Sequence, residues 1–270
     1  MKTFKARGIV LKEYEVGESD KRLLLLCKER GRVLIRARGA RKPRSKFMAA
    51  AQIFTYSDFV LAEGRGFVSL AQADVIENFY DLRTDYDRLC AAYEIVDVCE
   101  KTVHENENCD DLLLLVLKSL SNLSRGKFQP RQIFAVFMLR FFDVSGLRPH
   151  TDECAVCKKI VAREIFWGGE GVLCAAHGGG SVKNEREERG RRIFDGDLCV
   201  QRMAKNVKNQ QEERARRMDK SLPLSAAAAA AISYVLKSDL PRSFKFETTD
   251  DVLEELNDAV KLLWNFHFGA

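Results

Sequence analysis

Residues 22–47 read RLLLLCKERGRVLIRARGARKPRSKF, and their pattern decides the architecture. Two short apolar runs, Arg22–Lys28 and Arg32–Arg38, flank the turn signal Glu29-Arg30-Gly31, which predicts a pair of strands. The second run leads into a segment punctuated by Gly39 and Pro43, so the chain continues as a shaped loop rather than a helix. Working outward, three further stretches have strand character: Phe4–Tyr14, Ile53–Ala62 and Phe67–Ile76. Gly17-Glu18-Ser19-Asp20 and Glu63-Gly64-Arg65-Gly66 separate them as turns. Five strands within about 75 residues predict a small barrel of the OB type.

The same stretch carries the chain's charge asymmetry. From Lys28 to Lys46 there are nine basic residues and one acid, Glu29. Residues 1–80 hold 16 Lys/Arg against 9 Asp/Glu, whereas residues 81–270 hold 28 against 30, so the net charge of +5 belongs to the first segment. A one-sign loop beside an OB face points to phosphates, because each neutralised phosphate releases a condensed counterion. Arg32, Arg36, Arg38, Arg41, Lys42, Arg44 and Lys46 are the candidate nucleic-acid contacts. The plainer reading is a solvated loop, but solubility is ordinarily served by mixed charge. Phe47, Phe54, Tyr56 and Phe59 could stack on bases, yet aromatics in strands more often fill a core.

After Asn78 the period changes. Leu82, Tyr86, Leu89, Tyr93 and Val96 recur at helical spacing, with Asp81 as the expected N-cap, followed by helices over Leu112–Leu123 and Ile133–Val144. The run IFAVFMLRFFDVSGL at 133–147 is aromatic nearly all round, which predicts burial more than a peptide groove. No stretch approaches eighteen uninterrupted apolar residues and no signal-type N-terminus is present, so a soluble, unexported, cytoplasmic protein without membrane partners is expected. Cys27, Cys90 and Cys99 lie in apolar-periodic segments, as reduced cysteines do.

CAVC at 154–157 and CAAH at 174–177 form C-x2-C, sixteen residues, then C-x2-H. Cys154, Cys157, Cys174 and His177 at this spacing predict one structural Zn2+ per chain, with the intervening REIFWGGEGVL as a hairpin. Four unrelated residues, or a redox C-x-x-C, are the alternatives; the second pair argues against a redox motif. A cytidine-deaminase site would need an upstream H-x-E and a proline before the first cysteine, and Glu153 stands there instead. His150 or Cys199 could replace His177, though neither has its spacing. Four protein ligands leave no open position, no paired acid/base motif appears, and no G-x-x-x-x-G-K-[ST] is present; enzymatic activity is therefore not expected.

The chain resembles the RecO family of bacterial recombination mediators. The resemblance rests on KARGIVLKEYEVGESDKRLLLLCKERGRV with ARGARKPRSKF, on AAYEIVDVCEKTVHENE, on GLRPHTDECAVC with GGEGVLCAAH, and on LPLSAAAAAAISYVL with FKFETTDDVLEEL. It implies an α+β multidomain protein: an OB-fold DNA-binding domain at 1–80, a helical domain at 81–149, a zinc-binding module at 150–178 and returning helices at 221–270. It says little about residues 179–220, whose charges of both signs read as a polar charged connection. It also implies a non-enzymatic mediator that binds single- and double-stranded DNA and anneals complementary strands. With RecR, such a protein would help load RecA onto DNA coated by single-strand-binding protein. His177 departs from the family's common cysteine, a change zinc accepts. The competing class is an RNA-binding or ribosome-associated OB-fold zinc protein.

Overall fold

The computed structural model describes residues 2–161, 163–179 and 221–269. The chain divides into two compact units, Met1–Phe137 and Met138–Ala270. The polar connection at 179–220, from residue 180 onward, and Cys199 lie outside the described residues.

In the first unit, β1 (Lys2–Val16), β2 (Asp20–Cys27), β3 (Gly31–Ala37), β4 (Tyr56–Glu63) and β5 (Val68–Glu77) close a barrel in the order β1-β2-β3-β5-β4. β1 pairs antiparallel with both β2 and β4, and the parallel contact of β3 with β5, through Ile35–Val68 and Arg36–Ser69, completes the ring. This is the five-stranded, OB-like sheet that the strand count predicts.

The Leu-rich run of β2 is explained by burial on both faces. Leu23, Leu25 and Cys27 enter the barrel core with Val10, Ile35, Phe59 and Leu61. Alternation along a strand turns Leu24 and Leu26 to the other face, and they are buried as well. Each such leucine contributes roughly 1.5–3 kcal/mol relative to exposure. Outside the barrel, helix α1 (Tyr86–Thr102) packs on β1. Glu100 on this helix accepts from Lys12 Nζ at 3.0 Å and from the Tyr14 hydroxyl at 3.3 Å, and the Phe54 and Tyr93 rings meet edge to face at 5.2 Å.

The β2–β3 turn is tied to the segment after α1. Arg32 N donates to the His104 carbonyl, Asn106 N to that of Arg30, and Cys109 N to that of Lys28. Gly31 makes this approach possible: its φ is +60°, and a Cβ there would lie 2.2 Å from the His104 carbonyl oxygen.

The N-cap of α1 is Asp85 and not Asp81. Asp81 falls in a 3-10 turn over Tyr80–Thr84; the backbone extends only at Asp85 (φ −135°), whose carboxylate then accepts from Arg88 N. Helix α2 (Asp110–Arg125) ends at Gly126 in the left-handed conformation. Helix α3 (Pro130–Val144) starts earlier than its apolar pattern, because Pro130 suits a first helical position. Phe137, Phe141 and Phe142 are fully buried, so this helix is core.

In the second unit, β6 (Ile165–Gly168) and β7 (Gly171–Leu173) form the expected hairpin, followed by the short helix α4 (Ala175–Gly178). A third strand, β8 (Leu222–Leu224), adds to β6 from a distant part of the chain. Then come α5 (Ala226–Lys237), α6 (Leu240–Ser243) and α7 (Asp250–His267). Trp167 on β6 is completely buried, and its indole N–H donates to the Ala259 carbonyl of α7 at 3.1 Å. No helix among the described residues is long and apolar enough to cross a membrane.

Candidate metal centre and nucleic-acid interface

Two local folds bring the Cys/His residues together. At the first knuckle, Cys154 N donates to the Lys159 carbonyl and Lys158 N to that of Cys154, with Lys158 left-handed at φ +58°. At the second, His177 N and Gly178 N both donate to the Cys174 carbonyl, turning the chain within one α4 turn. A bond from Ala155 N to the Val172 carbonyl joins the first knuckle to β7.

As a result one ligand atom from each of Cys154, Cys157, Cys174 and His177 lies within 4.8 Å of the other three. Three of the edges are Cys154 Sγ to His177 Nδ1 at 3.6 Å, Cys157 Sγ to Cys174 Sγ at 3.9 Å, and Cys174 Sγ to His177 Nδ1 at 3.2 Å. A tetrahedral Zn2+ with bonds of ~2.3 Å to sulfur and ~2.0–2.1 Å to nitrogen needs edges of roughly 3.8 and 3.6 Å. The group can hold a metal ion of that size. At 3.9 Å the two sulfurs are also far too distant for the ~2.05 Å of a disulfide. Neither His150 nor any other described residue joins the cluster.

Cys154 in this cluster differs from the thiols buried elsewhere. Burial pushes Cys27 up to about 12 and Cys109 up to about 11, and it raises Cys99 as well. Burial would raise Cys154 too, but the backbone N–H groups of Cys157, Cys174 and Val156 outweigh it and bring the thiol down to about 6. A thiolate at neutral pH is the form that ligates a metal.

The seven candidate cations fall into two groups. Arg32 donates from Nη1 to the Glu100 carbonyl at 3.0 Å, where it satisfies the end of α1. Arg36 grips Asp20 with Nε and Nη2 at 3.2 and 2.9 Å, Arg41 reaches the Gly17 carbonyl and Glu15, and Lys46 reaches the Ala71 carbonyl. These four side chains shape the barrel. Arg38, Lys42 and Arg44 are exposed, and their side chains have no hydrogen-bond or ion-pair partner among the described residues. The segment carrying them is a chain of turns: Lys42 N donates to the Gly39 carbonyl, Ser45 N to that of Lys42 and Met48 N to that of Ser45. Phe47, Ala50 and Ala51 anchor it in the barrel core. Phe47, Phe54 and Phe59 are thus core residues, and Tyr56 is half-buried.

A feature the charge count misses is an open groove of about 830 Å³ on the β2–β3 side of the barrel, including Arg22, Arg30, Arg32 and Arg36 in its lining. Phe4, Leu34 and Phe67 also line it, and Glu63 and Glu105 are its acids. The residues come from widely separated stretches of the chain. Only the Gly64–Gly66 turn beside Phe67 hints at it in the sequence.

Comparison with known families agrees with this layout. The model for "Recombination protein O N terminal" matches residues 1–79, and that for "Recombination protein O C terminal" matches residues 83–210. DNA repair protein RecO of Acetivibrio thermocellus is 31% identical over 258 residues, 95% of this chain and 88% of the relative. The chain belongs to the recombination protein O family. RecO proteins of Alkaliphilus metalliredigens (33% over 153 residues) and Desulforamulus reducens (36% over 157) are also similar, over 57% and 58% of this chain and 62% and 60% of their own lengths. The N-terminal recombination protein O match spans the barrel and the basic segment. The C-terminal match spans α1 to α3 and all four Cys/His residues.

Proposed function

We propose that this chain is a non-enzymatic recombination mediator acting in DNA repair in the cytoplasm. Membership of the recombination protein O family supports the role in DNA repair and recombination. The observation that carries the mechanism is the trio Arg38, Lys42 and Arg44, exposed, without side-chain partners among the described residues, and held on an anchored loop of a closed OB-like barrel. Such a loop attracts the phosphates of single- and double-stranded DNA alike, and neutralising both strands lets complementary strands approach and anneal. Working with RecR, the protein assists RecA in replacing single-strand-binding protein on DNA.

The metal at Cys154, Cys157, Cys174 and His177 is Zn2+ in this reading, since three thiolates and an imidazole at tetrahedral spacing suit it. With four protein ligands it supplies folding energy to the module and no activated water.

The test is annealing of complementary oligonucleotides coated with the cognate single-strand-binding protein, with and without this chain, across a salt series. Acceleration that fades as salt rises is expected. A folded, metal-loaded protein that fails to accelerate annealing at any salt sinks the mediator reading.

A further inference from the structure

We propose that Phe67 is the residue that distinguishes single-stranded from duplex DNA, by stacking on an unpaired base in the β2–β3 groove. This deepens the DNA-binding reading above and rests on it. Phe67 sits at the end of the β4–β5 turn and is 44% exposed. Its ring has no aromatic or cationic partner among the described residues. The other aromatic ring of the groove, Phe4, is already covered, with the Arg30 guanidinium 3.9 Å from its centroid. Phe67 is therefore the groove's free aromatic face.

The ring is held in place. Gly64 N donates to the Phe67 carbonyl at 2.9 Å, and a Cβ on Gly64 would lie 3.1 Å from the ring's Cε2 and Cζ atoms. Phe67 thus leans against a backbone with no side chain, and the ring, which lines the groove, stays partly exposed there. The Ile35–Val68 pairing places Leu34 beside it, 46% exposed and also lining the groove, as an apolar neighbour for a base edge. Arg22 lines the same groove, exposed and without a side-chain partner among the described residues, as a phosphate contact.

An unpaired base offers its π-face to such a ring, whereas in a duplex both faces are covered by stacked neighbours. Arg38, Lys42 and Arg44 contact phosphates of either form, so discrimination falls to Phe67.

The experiment compares equilibrium binding of an oligothymidine single strand and a blunt duplex of equal length by the full chain and its Phe67→Ala, Phe67→Tyr and Arg38→Glu/Lys42→Glu/Arg44→Glu variants. Thermal midpoints confirm that each is folded. Phe67→Ala should weaken single-strand binding about tenfold, the scale of one base–aromatic stack, and leave duplex binding within about twofold. Phe67→Tyr should restore single-strand affinity. Equal losses on both ligands, or no loss on the single strand, overturn the proposal. If Phe67→Ala changes neither ligand while the triple reversal weakens both, only the stacking assignment falls. If the unmodified chain binds neither ligand, the DNA-binding reading falls with it.

Discussion

The Cys/His module and the basic segment of the barrel are both dense runs of chemically similar residues, yet the structure uses them in opposite ways. In the module all four side chains converge, with ligand atoms within 4.8 Å of one another. In the basic segment seven cations diverge: four are engaged with the barrel or α1, and Arg38, Lys42 and Arg44 are left exposed. A spacing motif states a geometry, because knuckles of fixed length can close on one point. A charge run states only a potential, and the fold decides which of its members keep a free head group.

The convergent region should be the more fragile. Replacing Cys154 and Cys157 by serine removes two of four ligands, and structural zinc sites are worth roughly 10–16 kcal/mol of binding free energy. Elemental analysis should find about one metal ion per chain in the unmodified protein and almost none in the variant, with loss of amide protection across β6 and β7. A variant that retains its metal would remove the convergence on which the contrast rests. Next in size is Trp167→Ala, which empties a fully buried site and removes the indole hydrogen bond to the Ala259 carbonyl. Chemical denaturation should show a loss of about 3–5 kcal/mol.

The divergent region predicts a split between its two groups. Charge reversal at Arg38, Lys42 and Arg44 should leave the unfolding midpoint nearly unchanged while lowering DNA affinity. The slope of log affinity against log salt should flatten by about 0.9 for each duplex phosphate that is no longer neutralised, so by up to about 2.7. Arg36→Gln should do the reverse, lowering stability as its grip on Asp20 is released, with less change in salt slope. Identical salt slopes for the two variants would erase the division between free and engaged cations.

The difference also explains how much of the molecule is legible in its sequence. Five strands, their turns and the zinc-type spacing are local patterns, each contained within a few tens of residues, and the fold reproduces them. The roles of Arg32 and Arg36 depend on partners 68 and 16 positions away, Glu100 and Asp20, so counting charge along the chain cannot separate them from Arg38. The β2–β3 groove is less legible still, since strand pairing alone brings Leu34 beside Phe67. Strand β8 shows the same limit: three residues, Leu222–Leu224, become a strand only because β6 presents an edge. Asp81 misleads for a smaller reason. Two aspartates stand four positions apart before α1, and the 3-10 turn between them, invisible in the apolar period, assigns the cap to Asp85.

The smallest expected effect concerns Asp20, the acid that holds the base of the basic loop. Its carboxylate accepts from Gly39 N at 2.9 Å and from the Arg36 guanidinium, and these two interactions hold its pKa below the usual carboxylate value. A carboxylate whose pKa falls on folding stabilises the native state at every pH above its unfolded value, near ~3.9, and loses that contribution as pH drops through the lower folded value. Asp20→Asn should therefore lower the urea midpoint slightly at neutral pH, and the gap from the unmodified protein should close only below about pH 4. A gap that persists at acid pH would mean that the amide disturbs the loop by shape rather than by charge. The free cations would then owe their placement to Phe47, Ala50 and Ala51 in the barrel core, and not to the Asp20 anchor.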